Sequence, residues 1–392
     1  MMREPEGLFD VSDDRGIRTV VTGQVGVDKR PFLERVVDIA QDHGQDVELA
    51  NVGDRMYAEA PDVVAGRILD LPLGRLNVLR RSVFKDILAL ADRGCHLLVN
   101  THATFRWKHG LFPAFDHDQM RALAADLYVT LVDNVDAVHE RLDRDHDVNH
   151  SLKDVLVWRE EEILATEIMA GTFRRHGAFY VISRGNYDLA ALMLFRLMFE
   201  SHRKKVYLSF PMTHVMDMPD VLAELERFRG IISEYFVTFD PGDLDEKGLL
   251  VRAGQARAQG EQTLDVEVHG RPLAFDVDEV LSVAGDIDGQ IYARDFKFID
   301  QSDMIISYIP ELPDGMPGLS SGVERELQHA YEATKEVYVI WRPQRDPSPF
   351  ITETATHVFR TIQETLNHFQ SRGDIHDNPA GQTEGISQEA KG

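Results

Sequence analysis

The chain carries a single cysteine, Cys95, in 392 residues. One thiol excludes an internal disulfide framework and fits a reducing compartment. Long apolar runs are missing as well. No uncharged stretch reaches the roughly 18 residues that suggest a membrane span, and the opening MMREPEGLFDVSDDRG has no apolar signal core. The expectation is a soluble, cytoplasmic protein with no membrane partner. Basic residues are scarce against acidic ones: 42 Lys and Arg face 66 Asp and Glu, a formal charge of −24. Proteins hold polyanions by displacing counterions with Lys and Arg. The balance therefore argues against a nucleic-acid polymer, whereas a local site could still hold a nucleotide-sized anion.

What is present is enough for more than one core. Hydrophobic residues make up 43% of a chain longer than a single core usually spans, so two or three domains are expected. Residues 1–16 read as a disordered acidic lead-in and 373–392 as a disordered polar tail. Between them, short β-rich apolar runs alternate with amphipathic helical stretches, the pattern of an α/β chain with parallel sheets.

The first apolar run, Ile17–Thr22, passes directly into GQVGVDKRPFLERVVDIA. Strand, glycine-rich turn and helix form the context of a phosphate-binding loop, in which backbone N–H groups cradle phosphate at a helix N-terminus. Gly23, Gly26 and Lys29 follow its pattern. Asp28 stands where the glycine before the lysine is expected, and Arg30 where a Ser or Thr would hold Mg²⁺. Further strands follow at CHLLVN and DLYVTLVD, the latter leading into a helix with Arg141 and Arg144. His146, Asp147 and His150 are grouped, but no established ligand pattern accompanies them and no metal is assigned.

With these landmarks in order (TGQVGVDK, NVGDRMY, VNTHATFRWKHGLFPAF, LVDNVDAVHERLDRD and EEILATEIMAG), residues 17 to about 185 resemble the archaeal-type adenylate kinases, P-loop nucleoside monophosphate kinases. The resemblance implies a kinase-like domain over 17–203 that uses ATP, with Gly23, Gly26 and Lys29 on its phosphates. It also implies Arg80 or Arg81 near a monophosphate acceptor and Arg141 and Arg144 in a lid helix. The family carries an acid where Asn100 stands, a hydroxyl where Arg30 stands and glycine where Asp28 stands. These positions handle metal and phosphate charge, so nucleotide binding without efficient phosphotransfer is the expectation, and Mg²⁺ lacks its usual ligands.

From Lys205 a new strand–helix series begins, without a dinucleotide fingerprint. KVYLSFP is a strand, and 221–232 an amphipathic helix. Residues 244–290 are more polar, with a hairpin around His269-Gly270. Met304–Ile309 is a buried strand after Asp303. A Pro/Gly-rich loop leads to a helix with Glu324 and Glu326 near its start, and Glu336–Trp341 is a second buried strand.

KVYLSFP, ARDFKFIDQSDMIISYIP and SSGVERELQHAYEATKEVYVI make residues 205 to about 345 resemble the nucleoside 2-deoxyribosyltransferases and their nucleoside 5′-monophosphate N-glycosidase relatives. The resemblance implies a Rossmann-like (flavodoxin-like) domain over 204–372. By spacing to Ser320 and Lys335, Glu326 would be the nucleophile, with Tyr207, Asp295 and Asp303 as the other catalytic residues. Ser320, Ser321 and Gly322 would hold a 5′-phosphate at a helix N-terminus. Phe210 and Gln328 stand where the family commonly has glycine. The chemistry is self-consistent, because a carboxylate beneath an anomeric carbon stabilises or captures an oxocarbenium-like centre. Tyr207 would orient it, and Asp295 would meet the departing base. Both families form oligomers, so a homo-oligomer is implied.

The leading expectation is an enzyme that cleaves or transfers the N-glycosidic bond of a (deoxy)nucleoside monophosphate and binds a nucleotide through its first half. A nucleoside monophosphate kinase with a non-standard loop, and a non-catalytic nucleotide sensor, are the alternatives.

Overall fold

The computed structural model describes residues 15–375, apart from 65, 108–109, 147–149, 175–176, 213–214 and 269. The expected lead-in to residue 14, the tail from 376, His269 and Asp147 lie outside the described residues, as does the side chain of His146.

In chain order the elements begin with β1 (Arg18–Thr22), α1 (Lys29–Asp42), β2 (Val47–Asn51), α2 (Val52–Glu59), α3 (Leu73–Ala91) and β3 (His96–Asn100). A hairpin of β4 (Thr104–Trp107) and β5 (Gly110–Pro113) precedes α4 (His117–Leu123), β6 (Leu127–Val132), α5 (Val135–His146), α6 (Leu152–Phe173), β7 (Phe179–Ser183) and α7 (Tyr187–Phe199). Next come β8 (Lys205–Ser209), α8 (Pro219–Tyr235), β9 (Val237–Phe239), α9 (Glu246–Ala258), β10 (Thr263–Val268), β11 (Arg271–Asp276), α10 (Val277–Ser282) and α11 (Ala284–Asp300). The chain continues through β12 (Met304–Ile309), α12 (Ser321–Glu332), β13 (Glu336–Trp341), α13 (Pro349–Thr352), β14 (His357–Phe359) and α14 (Ile362–Arg372).

Two compact α/β units result, each a five-stranded parallel sheet flanked by helices. The first sheet runs β2-β3-β1-β6-β7, with β1 central and its glycine turn leading into α1. This is the arrangement of a P-loop kinase-like fold. Val20, Val21, Leu97–Val99 and Tyr128–Val129 are wholly shielded, as strands covered on both faces must be. The second sheet runs β9-β8-β12-β13-β14, the flavodoxin-like order with its topological switch point between β8 and β12.

The sequence reading cuts the chain once, near residue 203. The structure groups residues 239–301 with the first unit instead, and 202–238 with 302 onward. The reason is electrostatic as well as apolar. Glu246, at the start of α9, is fully buried and accepts from Arg159 Nη1 (2.5 Å) and Nη2 (3.1 Å) of α6 and from the Val135 amide (3.1 Å). Arg294 of α11 approaches the same carboxylate at 3.4 Å. The Gln301 side chain pairs with both the N–H and C=O of Val181 on edge strand β7, each at 2.9 Å. The stretch that reads as more polar is thus tied to the first unit by a buried ion pair to α6 and an amide pairing with β7.

Both expected disordered ends reach into ordered structure. Arg15 donates to Ala124 O (2.8 Å) and Asp126 (2.6 Å), and a Cβ at Gly16 would collide with the Cys95 backbone. Gly373 ends α14 in the left-handed region (φ 78°) and Ile375 is buried.

Candidate functional site

The switch point of the second sheet holds a polar cluster inside apolar strands. Side chains alternate along β8, so Tyr207 and Ser209 share a face. On α12 the buried positions Val323, Leu327 and Ala330 set the inward stripe, and Glu326 falls on it three residues after Val323 and four before Ala330. The half-buried Glu326 carboxylate accepts from Tyr207 Oη at 3.0 Å and from Ser209 Oγ at 2.6 Å. Ser307 of β12, opposite Ser209 in register, donates to Ser209 Oγ at 3.3 Å. Tyr207, Ser209 and Ser307 are fully buried. Glu324 is exposed on the same helix.

Ser320 is the N-cap of α12 and accepts from the Val323 amide at 3.2 Å. Ser321 and Gly322 are exposed in the first turn, where N–H groups have no intrahelical acceptor. This is an anion-favouring end of the same helix that carries Glu326.

Asp303 does not join the cluster. Its carboxylate accepts from the Lys205 amide (2.8 Å) and pairs with Lys205 Nζ (3.0 Å), tying together the starts of β8 and β12. Four residues separate it from Ser307, about 13 Å along a strand. Lys335 likewise turns away and donates to Ser302 O at 2.5 Å. Phe210 is core, with Arg229 over its ring at 5.6 Å, and Gln328 bonds Glu332. Asp295 lies on α11 in the first unit. Burial pushes its carboxyl up to about 6 despite Arg294, and its Oδ1 has no hydrogen-bond partner among the described residues.

The glycine loop of the first unit is folded inward on itself. Gly23 (φ 148°) and Gly26 (φ 87°) use backbone conformations that L side chains rarely adopt, and a Cβ at Gly26 would press on Val138 and Leu142 of α5. Lys29 is buried at the start of α1. Its Nζ donates to Gly23 O at 2.7 Å and lies 3.4 Å from His102 Nδ1. Burial lowers its ammonium pKa to about 8, with Glu162 and Asp28 opposing. Beneath the loop, Glu162 of α6 accepts from the amides of Gly23 (3.2 Å), Ala103 (2.7 Å) and Thr104 (2.8 Å) and from Thr104 Oγ1 (2.5 Å). Burial alone would raise its pKa, but His102, Thr104 and Lys29 outweigh that and hold it below the usual carboxylate range. Both polar atoms of the Gln24 amide are buried without a partner among the described residues.

The remaining candidates of this half are engaged locally. Arg141 donates to Gly26 O (2.9 Å) and pairs with Asp133 (2.8 Å), so it braces the loop from α5. Arg144 pairs with Glu140. Asp28, left-handed at φ 59°, faces Arg184 at 3.6 Å. Arg30 is exposed and pairs with Glu34 and Asp54, and Asn100 bonds Asn51. Arg30 thus presents no hydroxyl beside Lys29, and Asn100, at the end of β3, no carboxylate. Arg80 and Arg81 line a cavity of about 160 Å³ with Asn77, Phe112, Phe115 and Asp116. Arg80 sits 5.5 Å over the Phe105 ring, and burial lowers its pKa to about 10. Among the described residues no group of three His, Cys, Asp or Glu side chains could hold a metal ion, and no helix is long and apolar enough to cross a membrane.

Sequence reasoning misses Ser209, Ser307 and Glu162. Period-two alternation from Tyr207 would have found Ser209. Ser307 needs the strand register, and Glu162 needs the packing of α6 under the loop.

No family model matches the chain, and no curated protein matches it. Among solved structures, a tunicamycin resistance protein from Deinococcus radiodurans is 14% identical over 47% of this chain and 95% of its own, with a TM-score of 0.28. A gluconokinase from Sinorhizobium meliloti 1021 is 14% identical over 47% and 94%, with a TM-score of 0.29. The Pnkp1/Rnl/Hen1 RNA repair complex is 8% identical over 93% and 96%, also with a TM-score of 0.29. Likeness at this level says nothing about activity.

Proposed function

We propose that the protein is a nucleotide-metabolising enzyme whose second unit cleaves or transfers the N-glycosidic bond of a (deoxy)nucleoside 5′-monophosphate, with Glu326 as nucleophile. One observation carries the reading: a half-buried carboxylate at the switch point of a flavodoxin-like sheet has a hydroxyl on each oxygen, from Tyr207 and Ser209. Ligands of open α/β sheets bind at such points. A carboxylate held there by two hydroxyl donors is suited to a carbon that becomes cationic.

In the proposed reaction a Glu326 oxygen attacks the anomeric carbon as its bond to the base nitrogen breaks. The bonding pair leaves with the base, which takes up a proton. Water, or the nitrogen of a second base, then displaces the carboxylate from that carbon and gives up its own proton. Tyr207 and Ser209 each donate to one carboxylate oxygen and so fix its rotation. Ser320, Ser321 and Gly322 supply the helix N-terminus for a 5′-phosphate.

The first unit is proposed to bind a nucleotide through its glycine loop without efficient phosphotransfer. Lys29 and the loop amides would meet the phosphates of ATP, but efficient phosphoryl transfer would also need a metal to neutralise developing charge, and Arg30 and Asn100 do not fit Mg²⁺.

The test is product chromatography after incubation with nucleoside and deoxynucleoside monophosphates, with and without ATP and Mg²⁺. Free base should appear without ATP, and Glu326→Gln should reduce it by at least about 10³-fold, the scale of losing a catalytic nucleophile. ADP that appears only with an acceptor and disappears in Lys29→Ala would favour a kinase. Binding with neither product would favour a sensor.

A further inference from the structure

The hydroxyl pair Ser209 and Ser307 has no role in the apolar packing around it. Both lie in fully shielded positions of adjacent central strands, directly opposite in register, among Val206, Leu208, Ile305 and Ile306. An alanine or valine would fill such positions without a hydroxyl to satisfy, and a buried hydroxyl is costly unless bonded. The two form a directed chain. A carboxylate only accepts, so the Ser209 proton points to Glu326 Oε2 at 2.6 Å; the Ser209 oxygen then accepts from Ser307 at 3.3 Å. Tyr207 donates to Oε1 from two residues earlier on the same strand face. Consecutive donors in a shielded site polarise one another toward the charged end.

We propose that Ser209, oriented by Ser307, is a positioning residue that locks the Glu326 carboxylate in its ionised form and in a single rotamer. The proposal rests on the functional reading above only for its catalytic consequence; the carboxylate clamp itself stands on the geometry. With Tyr207 and Ser209 on different oxygens, rotation of the carboxylate breaks both bonds, so the reacting oxygen keeps one orientation. Tyr207 donates to Glu326 from the same strand, and Ser209 and Ser307 do not titrate, so loss of Ser209 removes a donor without adding or removing a charge.

The full chain, labelled at glutamate carboxyl carbons, is titrated by NMR, with the Glu326 signal assigned by its absence in Glu326→Gln. Removing a charge-assisted donor favours protonation, so Ser209→Ala should raise the Glu326 midpoint by about one pH unit, Ser307→Ala by roughly a third of that, and Ser209→Thr by little. In the cleavage assay the acid limb of kcat should move up with the midpoint in Ser209→Ala, and kcat should fall about 10–100-fold with KM nearly unchanged. Recovery in Ser209→Thr shows that the hydroxyl, not the residue volume, is required. A midpoint in folded Ser209→Ala within about 0.2 unit of the unsubstituted chain overturns the positioning role, even if cleavage depends on Glu326. A shifted midpoint in a protein that cleaves nothing supports the clamp and overturns the functional reading instead.

Discussion

Lys29 offers a direct measurement of how the first unit's loop is built. Its ammonium is buried, and its pKa falls from 10.5 to about 8 because burial outweighs the pull of Glu162 and Asp28. A lysine whose folded pKa lies below its unfolded value destabilises the fold while both states are protonated. Between the two pKa values the unfolded chain holds the extra proton, so stability rises with pH there. The full difference corresponds to about 3 kcal/mol at 1.36 kcal/mol per unit. About 2 kcal/mol of it is recovered between about pH 7.5 and 9.5, and tyrosine ionisation at the top of that window is shared by the unsubstituted chain and Lys29→Met. Lys29→Met keeps the stem volume and removes the titration. Urea unfolding followed by tryptophan fluorescence in a Trp341→Phe background reports on the first unit, since Trp107 and Trp158 both belong to it. The unsubstituted loop should gain about 2 kcal/mol across that window relative to Lys29→Met. Parallel stability curves for the two chains would refute the inward, desolvated placement of the ammonium.

Two further outcomes follow from buried carboxylates of opposite character. Glu162→Gln turns an amide N–H₂ toward donors that now converge on a carboxylate, and it removes the counter-charge near Lys29. The loss should be about 3–5 kcal/mol, as for other broken buried pairs, read as a lowered first-unit urea midpoint. Because the folded pKa of Glu162 is depressed, its stabilisation is present above the unfolded pKa and lost as pH falls through the folded one. The acid-side decline should therefore be shallower in Glu162→Gln. Asp295 behaves in the reverse sense. Its carboxyl, raised to about 6, is tolerated below the unfolded pKa and costs stability as pH rises through 6. Asp295→Asn should then stabilise the chain by about 2–3 kcal/mol near neutral pH and by only about 0.5 kcal/mol near pH 4, measured by thermal unfolding at both values.

The sequence pattern reveals the strands almost residue by residue wherever they are buried on both faces. Phe179–Ser183, Met304–Ile309 and Glu336–Trp341 each begin and end where the apolar runs do. Burial on two faces leaves no polar alternative in those runs, so pattern alone delimits them. The excursion at 239–301 is different. Its attachment depends on Glu246 meeting Arg159, 87 positions away. A charged residue at a helix start reads equally as a solvated first turn, so ion pairing across that distance leaves no local mark.

The same distinction separates the site residues. Glu326 is singled out in the sequence by its spacing to Ser320 and Lys335 under the family resemblance, and the structure adds that it lies on the inward stripe of its helix. Asp303 looked equivalent by spacing, yet a residue just before a parallel strand sits at the end of the sheet opposite the ligand crevice, and there it pairs with Lys205. Strand polarity alone could have excluded it from the cluster. Ser209 and Ser307 escaped because serine in a strand is unremarkable until the register sets two of them side by side with a carboxylate at the end. Lys29 matched its motif by sequence, whereas its desolvation arises from Gly23 O, His102 and Glu162 closing around it, a consequence of tertiary packing that spacing does not encode. Residue identity thus locates the charges, while the hydrogen-bond partners that set their protonation come from other strands and helices.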